Sequence, residues 1–274
     1  MLIDAAGNRH APAPDLTRIV SLVPSLTELL FALELRDTIV GRTNFCIEPK
    51  GQVGSIPTVG GTKTFDVEEL VALRPTHVLV NIDETPKELA EQIQANDISV
   101  VVTHPNKPAD NIALFSLMGS LFGRQQQAAK LIADLQGELM TTGPWPERKV
   151  LYLIWKRPWM TVSQDTYIAN MLSLFGMRTL GHDAERRYPE IEMTSALLTE
   201  ADLVLFSTEP FPFAARHIDA FSKEFAVNTL PKLRAIDGKM VSWYGSRVIE
   251  GLRYLREFTS QLQDSENFIS KPRG

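Results

Sequence analysis

The sequence predicts an α/β protein of two lobes, each built on a parallel central sheet, joined by a single long helix. Three observations carry that prediction. Short apolar or β-branched runs alternate with helical patterns along the chain, as in parallel sheets with crossover helices. A helical stretch at 124–142 then meets Gly143-Pro144-Trp145-Pro146, which stops any helix. Beyond the stop the alternation begins again. With 274 residues, 44% of them hydrophobic, the chain is long enough for two cores.

In the first half, residues 18–23 read as a strand stopped by Pro24. Ser25-Leu-Thr-Glu28 reads as a capping box that opens a helix with Leu26, Leu29, Leu30 and Leu33 on its buried side. A strand at 38–42 precedes a Gly- and Pro-rich loop at 44–64. Asp66 caps a helix to 73, 77–81 is a buried strand, and Pro86 sits at the first position of the next helix. Residues 98–103 form a β-branched strand, and Pro108 starts a helix that ends near Gly123. This is the first Rossmann-like lobe, 18–123. The connecting helix, 124–143, carries Ala128, Leu131, Leu135 and Leu139 on one side; about eighteen residues reach roughly 27 Å. The second Rossmann-like lobe, 147–264, has strands at 150–154, 202–207 and 240–243. Its helices are at 165–175 (closed by Gly176), from Thr194 to 198, at 213–225 and at 246–262.

The halves can be superposed. Leu73-Arg-Pro-Thr-His-Val-Leu-Val80 lies over Leu198-Thr-Glu-Ala-Asp-Leu-Val-Leu205. The same shift lays Glu84 on Glu209, each just past the end of its strand. With the shared helix–strand order this indicates two related lobes.

Several function classes are set aside by composition. Charged residues make up 22%, the net charge is -5, and Lys and Arg form no run, so nucleic acid is not expected as a partner. Apolar stretches are too short to span a bilayer. Cys46 is the one cysteine, which leaves no intrachain disulfide, and a monomer is expected. Residues 1–15 lack the apolar core of a secretory leader. As written the chain is expected in the cytoplasm, and in the periplasm or cell envelope if a leader was removed.

Enzyme signatures are missing. There is no GxxxxGK[ST] loop and no G-x-S-x-G elbow, and Gly60-Gly61-Thr62-Lys63 does not open into a helix. His10, His77, His104, His182 and His217 form no close pair, so no zinc signature is present. No catalytic residue, resident metal or cofactor is expected. Ligands of parallel sheets sit beyond the carboxyl ends of the strands. That rule nominates Phe45, Cys46 and Asn81 in the first half, and Trp155, Arg157, Phe211, Trp243, Tyr244 and Arg247 in the second. Trp159, Arg187 and Tyr188 join by proximity in sequence. Aromatic rings offer contact area with a polar handle and arginines clamp anions. Each has a plainer reading: Trp155 and Trp243 as core plugs, Arg187 as a solvated turn, Cys46 as a buried thiol.

The chain resembles the class III substrate-binding proteins of ABC importers, the helical-backbone metal receptors for cobalamin, ferric siderophores and haem. The resemblance is carried by Arg18-Ile-Val-Ser-Leu-Val-Pro-Ser-Leu-Thr-Glu28, Val59-Gly-Gly-Thr-Lys63 and Asp66-Val-Glu-Glu-Leu-Val-Ala-Leu-Arg-Pro75. Trp159-Met-Thr-Val162, Arg187-Tyr-Pro-Glu190 and Val241-Ser-Trp-Tyr244 extend it, in order, over roughly residues 18–262. It implies a corrinoid or other metal chelate held in an interlobe cleft and delivered to a membrane permease, without chemistry on the ligand. It also implies that Thr62 and Asn81 line the cleft, at positions where cobalamin receptors carry aromatics. One exposed glutamate per lobe, Glu84 or Glu88 and Glu209, is implied to dock the permease. The rival expectation is a cytosolic enzyme or cofactor-handling protein reusing the two-lobed scaffold.

Overall fold

The computed structural model describes residues 2–180, 183, 185–225 and 231–270; His182 lies outside them. The first elements are β1 (Leu2–Ile3), β2 (Arg9–His10), β3 (Ile19–Ser21), α1 (Pro24–Ala32) and β4 (Ile39–Arg42). After a long loop come α2 (Val67–Ala72), β5 (His77–Asn81), α3 (Lys87–Gln94), β6 (Ser99–Thr103), α4 (Asn111–Leu121) and α5 (Gln125–Met140). The chain continues through β7 (Arg148–Leu153), α6 (Tyr167–Ser173), β8 (Met177–Thr179), α7 (Ser195–Glu200) and β9 (Leu203–Ser207). It ends with α8 (Ala215–Glu224), β10 (Lys232–Ile236), α9 (Gly238–Ser242) and α10 (Arg247–Ser270).

Two compact units result. The first holds Met1–Pro105, Ala109–Gln136 and Tyr244–Arg247; the second holds Asn106–Pro108, Gly137–Trp243 and Val248–Gly274. After the short excursion at Asn106–Pro108, the chain passes from the first to the second inside α5, between Gln136 and Gly137. It also returns: Tyr244 and Arg247, read in the sequence with the second half, belong to the first unit.

Each unit is built on one four-stranded parallel sheet. The spatial orders are β4-β3-β5-β6 and β8-β7-β9-β10. Numbered within its own unit, each sheet has its second strand outermost, then its first, third and fourth. The superposition of 73–80 on 198–205 is therefore a repeat of topology, since β5 and β9 are both third strands. Every residue of β5 and of β9 is buried, as expected when helices cover both faces of a parallel sheet. Val20, Val78, Val80 and Val100 anchor one core; Leu151, Leu153, Val204, Phe206 and Phe221 anchor the other.

Several elements depart from expectation. No capping box opens α1: the helix begins at Pro24, after Val23, which lends no side-chain cap. Proline at the first helical position supplies the helical φ in advance, so Ser25 falls inside the helix and is buried. Asp66 does cap α2, accepting from the backbone N–H groups of Glu68 and Glu69. The expected strand at 240–243 is helical over 240–242. Asp237 accepts from Lys239 N–H at 3.0 Å and starts α9. The last strand is β10 instead, an edge strand whose charged, half-exposed residues conceal it, since edge strands are protected by charge. The N-terminal hairpin β1–β2 is a further element that the periodicity does not reveal. It covers the free edge of β6, with Ala5 N–H donating to Val102 C=O and Val102 N–H donating to the Asp4 carboxylate.

Candidate functional site

In sheets with this strand order the direction of the crossovers reverses between the first and third strands, and the crevice opens beyond their carboxyl ends. In the first unit that point lies past β3 and β5; in the second, past β7 and β9.

In the first unit, Asn44 N–H donates to Gly60 C=O at 2.8 Å. This draws the loop after β4 onto Gly61, where a Cβ would stand 3.5 Å from the Phe45 ring. Phe45 is 60% exposed, with half-buried Thr62 next to Gly61 in sequence. Asn81, expected at the ligand face, is buried. Its side chain accepts from Asp83 N–H at 2.8 Å and builds the turn after β5. The residue turned outward is Ile82, 50% exposed, which the strand-end rule covers within 81–84 but residue type does not single out. Cys46, likewise nominated, is fully buried against Thr43 Oγ1 at 3.1 Å. Burial pushes its thiol pKa up, so it is an unreactive packing residue. The Tyr244 ring is buried with its hydroxyl 3.3 Å from Thr103 Oγ1. Burial, then the charge of Glu84, raises that phenol well above its ordinary range. Arg247 forks onto Glu28, Nε donating at 2.8 Å and Nη2 to the other oxygen. Glu28 thus holds Arg247 where a capping bond to its own helix was expected.

In the second unit, Phe211 N–H donates to Ile154 C=O at 3.3 Å, tying the loop after β9 to the end of β7. This brings Trp155 and Phe211 edge to face at 5.6 Å, with Trp155 38% exposed. Trp159 is half-buried and packs against the core, stacked on Phe213 at 6.2 Å and edge-on to Phe221 at 5.5 Å. Arg187 is a brace: it donates to Asp165 C=O at 2.7 Å and to Asn106 Oδ1 at 2.9 Å. Its neighbour Tyr188 is partly exposed. Arg157 is exposed, at φ 65°.

Trp243 is buried, and its indole N–H donates to Glu209 Oε1 at 2.6 Å while Lys239 Nζ lies 5.2 Å from the ring centre. Glu209, expected as an exposed docking carboxylate, is half-buried in that contact, with Ser242 Oγ at 3.4 Å. Burial raises its pKa, more than the Trp243 bond and Lys239 lower it. The sign follows. Between the ordinary carboxylate range and the raised folded value the native state holds the proton that the unfolded chain has lost. Stability contributed at low pH is therefore lost as pH rises through that window. Glu209→Gln keeps an acceptor for the indole and removes the titration. Its stability relative to the parent should increase as the pH is raised from the ordinary carboxylate range to neutrality, read in urea melts; a constant difference would mean that Glu209 titrates normally.

Among the described residues, no group of three or more His, Cys, Asp or Glu could hold a metal ion, and no helix is long and apolar enough to cross a membrane. Comparison with known proteins identifies the fold. The family model described as periplasmic binding protein matches residues 19–231. The chain belongs to the periplasmic binding protein family. One relative is the uncharacterized ABC transporter substrate-binding lipoprotein YvrC of Bacillus subtilis, 25% identical over 93% of this chain and 84% of that protein. A vitamin B12-binding protein of Photorhabdus laumondii is 23% identical over 69% of this chain and 70% of its own. Among solved structures, the periplasmic heme-binding protein RhuT from Roseiflexus sp. RS-1 superposes with a TM-score of 0.77 at 20% identity, covering 90% of this chain and 98% of that one. As a periplasmic binding protein, the chain shares a family with binding proteins, and its two parallel four-stranded sheets share their fold.

Proposed function

We propose that this chain is the substrate-binding component of an ABC-type importer, taking a corrinoid or another metal chelate such as haem or a ferric siderophore and handing it to a membrane permease. It binds its ligand and leaves it chemically unchanged, and it works outside the cytoplasmic membrane. The observation that carries the reading is the placement of exposed apolar side chains. Phe45 and Ile82 in the first unit and Trp155 in the second all follow the carboxyl ends of strands, where ligands of such sheets bind. The family match and the vitamin B12- and heme-binding relatives support it.

A melting screen against cyanocobalamin, haem and ferric siderophores tests it. A ligand at 100 times its Kd stabilises by about 2.7 kcal/mol, a rise of roughly 5 °C for a chain of this size. Trp155→Ala should then weaken the ligand that shifts the melt at least tenfold, about 1.4 kcal/mol, while changing the unliganded melt little. No shift with any chelate would remove the reading. For docking, Glu88 in the first turn of α3 is exposed and is the acid we assign to the permease contact. Exposed interface charges govern association rate. Glu88→Arg should slow capture by permease-containing vesicles at low salt with ligand affinity intact; an unchanged rate would exclude Glu88.

A further inference from the structure

His217 has no partner histidine nearby in the sequence, yet the fold gives it a defined chemical form. It stands in the first turn of α8, and the backbone N–H of Ala214 donates to its Nδ1 at 3.0 Å. A ring nitrogen that accepts carries no proton, so the neutral imidazole bears its proton on Nε2. While that bond holds, Nε2 is a hydrogen-bond donor and has no lone pair for a metal. Partial burial, and then the neighbouring Arg216 and Lys156 cations, hold the His217 pKa below the ordinary range, which keeps the ring neutral near pH 7.

The ring also continues an aromatic row. His217 meets Phe211 at 5.2 Å and 65°, and Phe211 meets Trp155 at 5.6 Å and 78°. The row begins where β7 and β9 end. Cations border it. Lys156 Nζ lies 5.5 Å from the centre of Trp159, and Arg157 and Arg216 are exposed. Among the described residues no carboxylate pairs with Lys156, Arg157 or Arg216. The backbone at Arg157, in the left-handed region, is a conformation that non-glycine residues adopt rarely and that clusters at ligand clamps.

We propose that this row seats a flat, conjugated ligand with carboxylates at its edge. Lys156, Arg157, Arg216 and the Nε2–H of His217 hold that anionic edge, and His217 does not ligate the chelated metal. The proposal rests on the binding-protein reading above and narrows it, because aromatic contact and charge, rather than the metal, then select the ligand. A neutral macrocycle would leave the cations unanswered, whereas carboxylates take charge-assisted bonds from them.

The test is titration of the full chain with metal-free protoporphyrin IX, ferric protoporphyrin IX and cyanocobalamin. The two porphyrins should bind within about threefold of each other, and both should weaken about tenfold or more as salt is raised, because exposed charges are screened. Lys156→Glu combined with Arg216→Glu should weaken both at least tenfold, about 1.4 kcal/mol. His217→Phe should weaken both, while His217→Gln, which retains a side-chain N–H donor, should bind better than His217→Phe. The visible spectrum of the ferric complex should be the same in His217→Gln as in the parent. The proposal would be overturned by binding of the metallated porphyrin alone, by salt-independent binding by the parent protein, or by an imidazole-ligated iron spectrum that His217→Gln abolishes. The salt titration needs no variant, so a misfolded variant does not spare the proposal. Tight cyanocobalamin binding without porphyrin binding would overturn this assignment and leave the importer reading standing. Failure of every chelate, ferric siderophores included, would take both down.

Discussion

Lowering the pH from 7 to 4 should cost the first unit about 3 kcal/mol through one residue, His77. The ring is buried at the start of β5, edge-on to Phe122 at 5.3 Å and with Nδ1 2.9 Å from Thr76 Oγ1. Burial, and then the nearby His10, lower its pKa from 6.5 to about 4. Between those values the unfolded chain binds a proton that the native state refuses, so stability falls as the pH falls. The loss starts below the ordinary histidine pKa and levels off near the folded one. Urea melts from pH 7 to 4 should show this slope, and His77→Phe should flatten it by about one proton. The neighbouring Asp4, whose pKa is lowered by its Val102, Asn8 and His10 bonds against the effect of burial, titrates on the acid side and stays in both proteins. An unchanged slope in the variant would mean that the ring takes up its proton in the folded state.

Phe221→Ala should destabilise the second unit by about 3–5 kcal/mol, the range for emptying a buried aromatic site. The side chain is fully buried and touches Phe206 at 5.1 Å, Trp159 at 5.5 Å and Phe225 at 4.7 Å. Those rings continue through Phe213 to Phe211 and Trp155, so the hole opens beneath the row proposed above to face the ligand. Phe221→Leu fills most of the space and should recover more than half of the loss. The measurement is the urea midpoint at constant slope. A cost under about 1 kcal/mol would mean that the cluster closes over the gap, since the penalty depends on how far a site can collapse.

Periodicity and turn chemistry in the sequence were enough to determine the alternation of strands and helices, the stop at Gly143-Pro144-Trp145-Pro146, the caps at Asp66 and Thr194, and the relation between the two halves. These are local signals: a buried parallel strand is a short apolar run wherever it lies, and a cap bonds amides within its own turn. The elements that stay hidden in the sequence are those whose identity is set by a neighbour. β8 and β10 are edge strands with little apolar pattern, and β1–β2 is defined by the edge of β6 that it covers.

The candidate site divides the same way. That aromatic residues gather after strand ends is legible in the chain, and Phe45, Trp155 and Phe211 stand there. Which neighbour faces outward is decided by hydrogen bonds made in the folded unit. Asn81 turns in to hold Asp83 N–H, so Ile82 turns out. Glu209 is drawn half under the surface, where an indole donates to it. His217 owes its fixed tautomer to the backbone of Ala214 in the turn that opens α8. Residue type and spacing determined which groups could serve, because those properties belong to the chain; the direction each side chain takes, and the protonation it keeps, were decided only by the tertiary structure, because both depend on the partner found there.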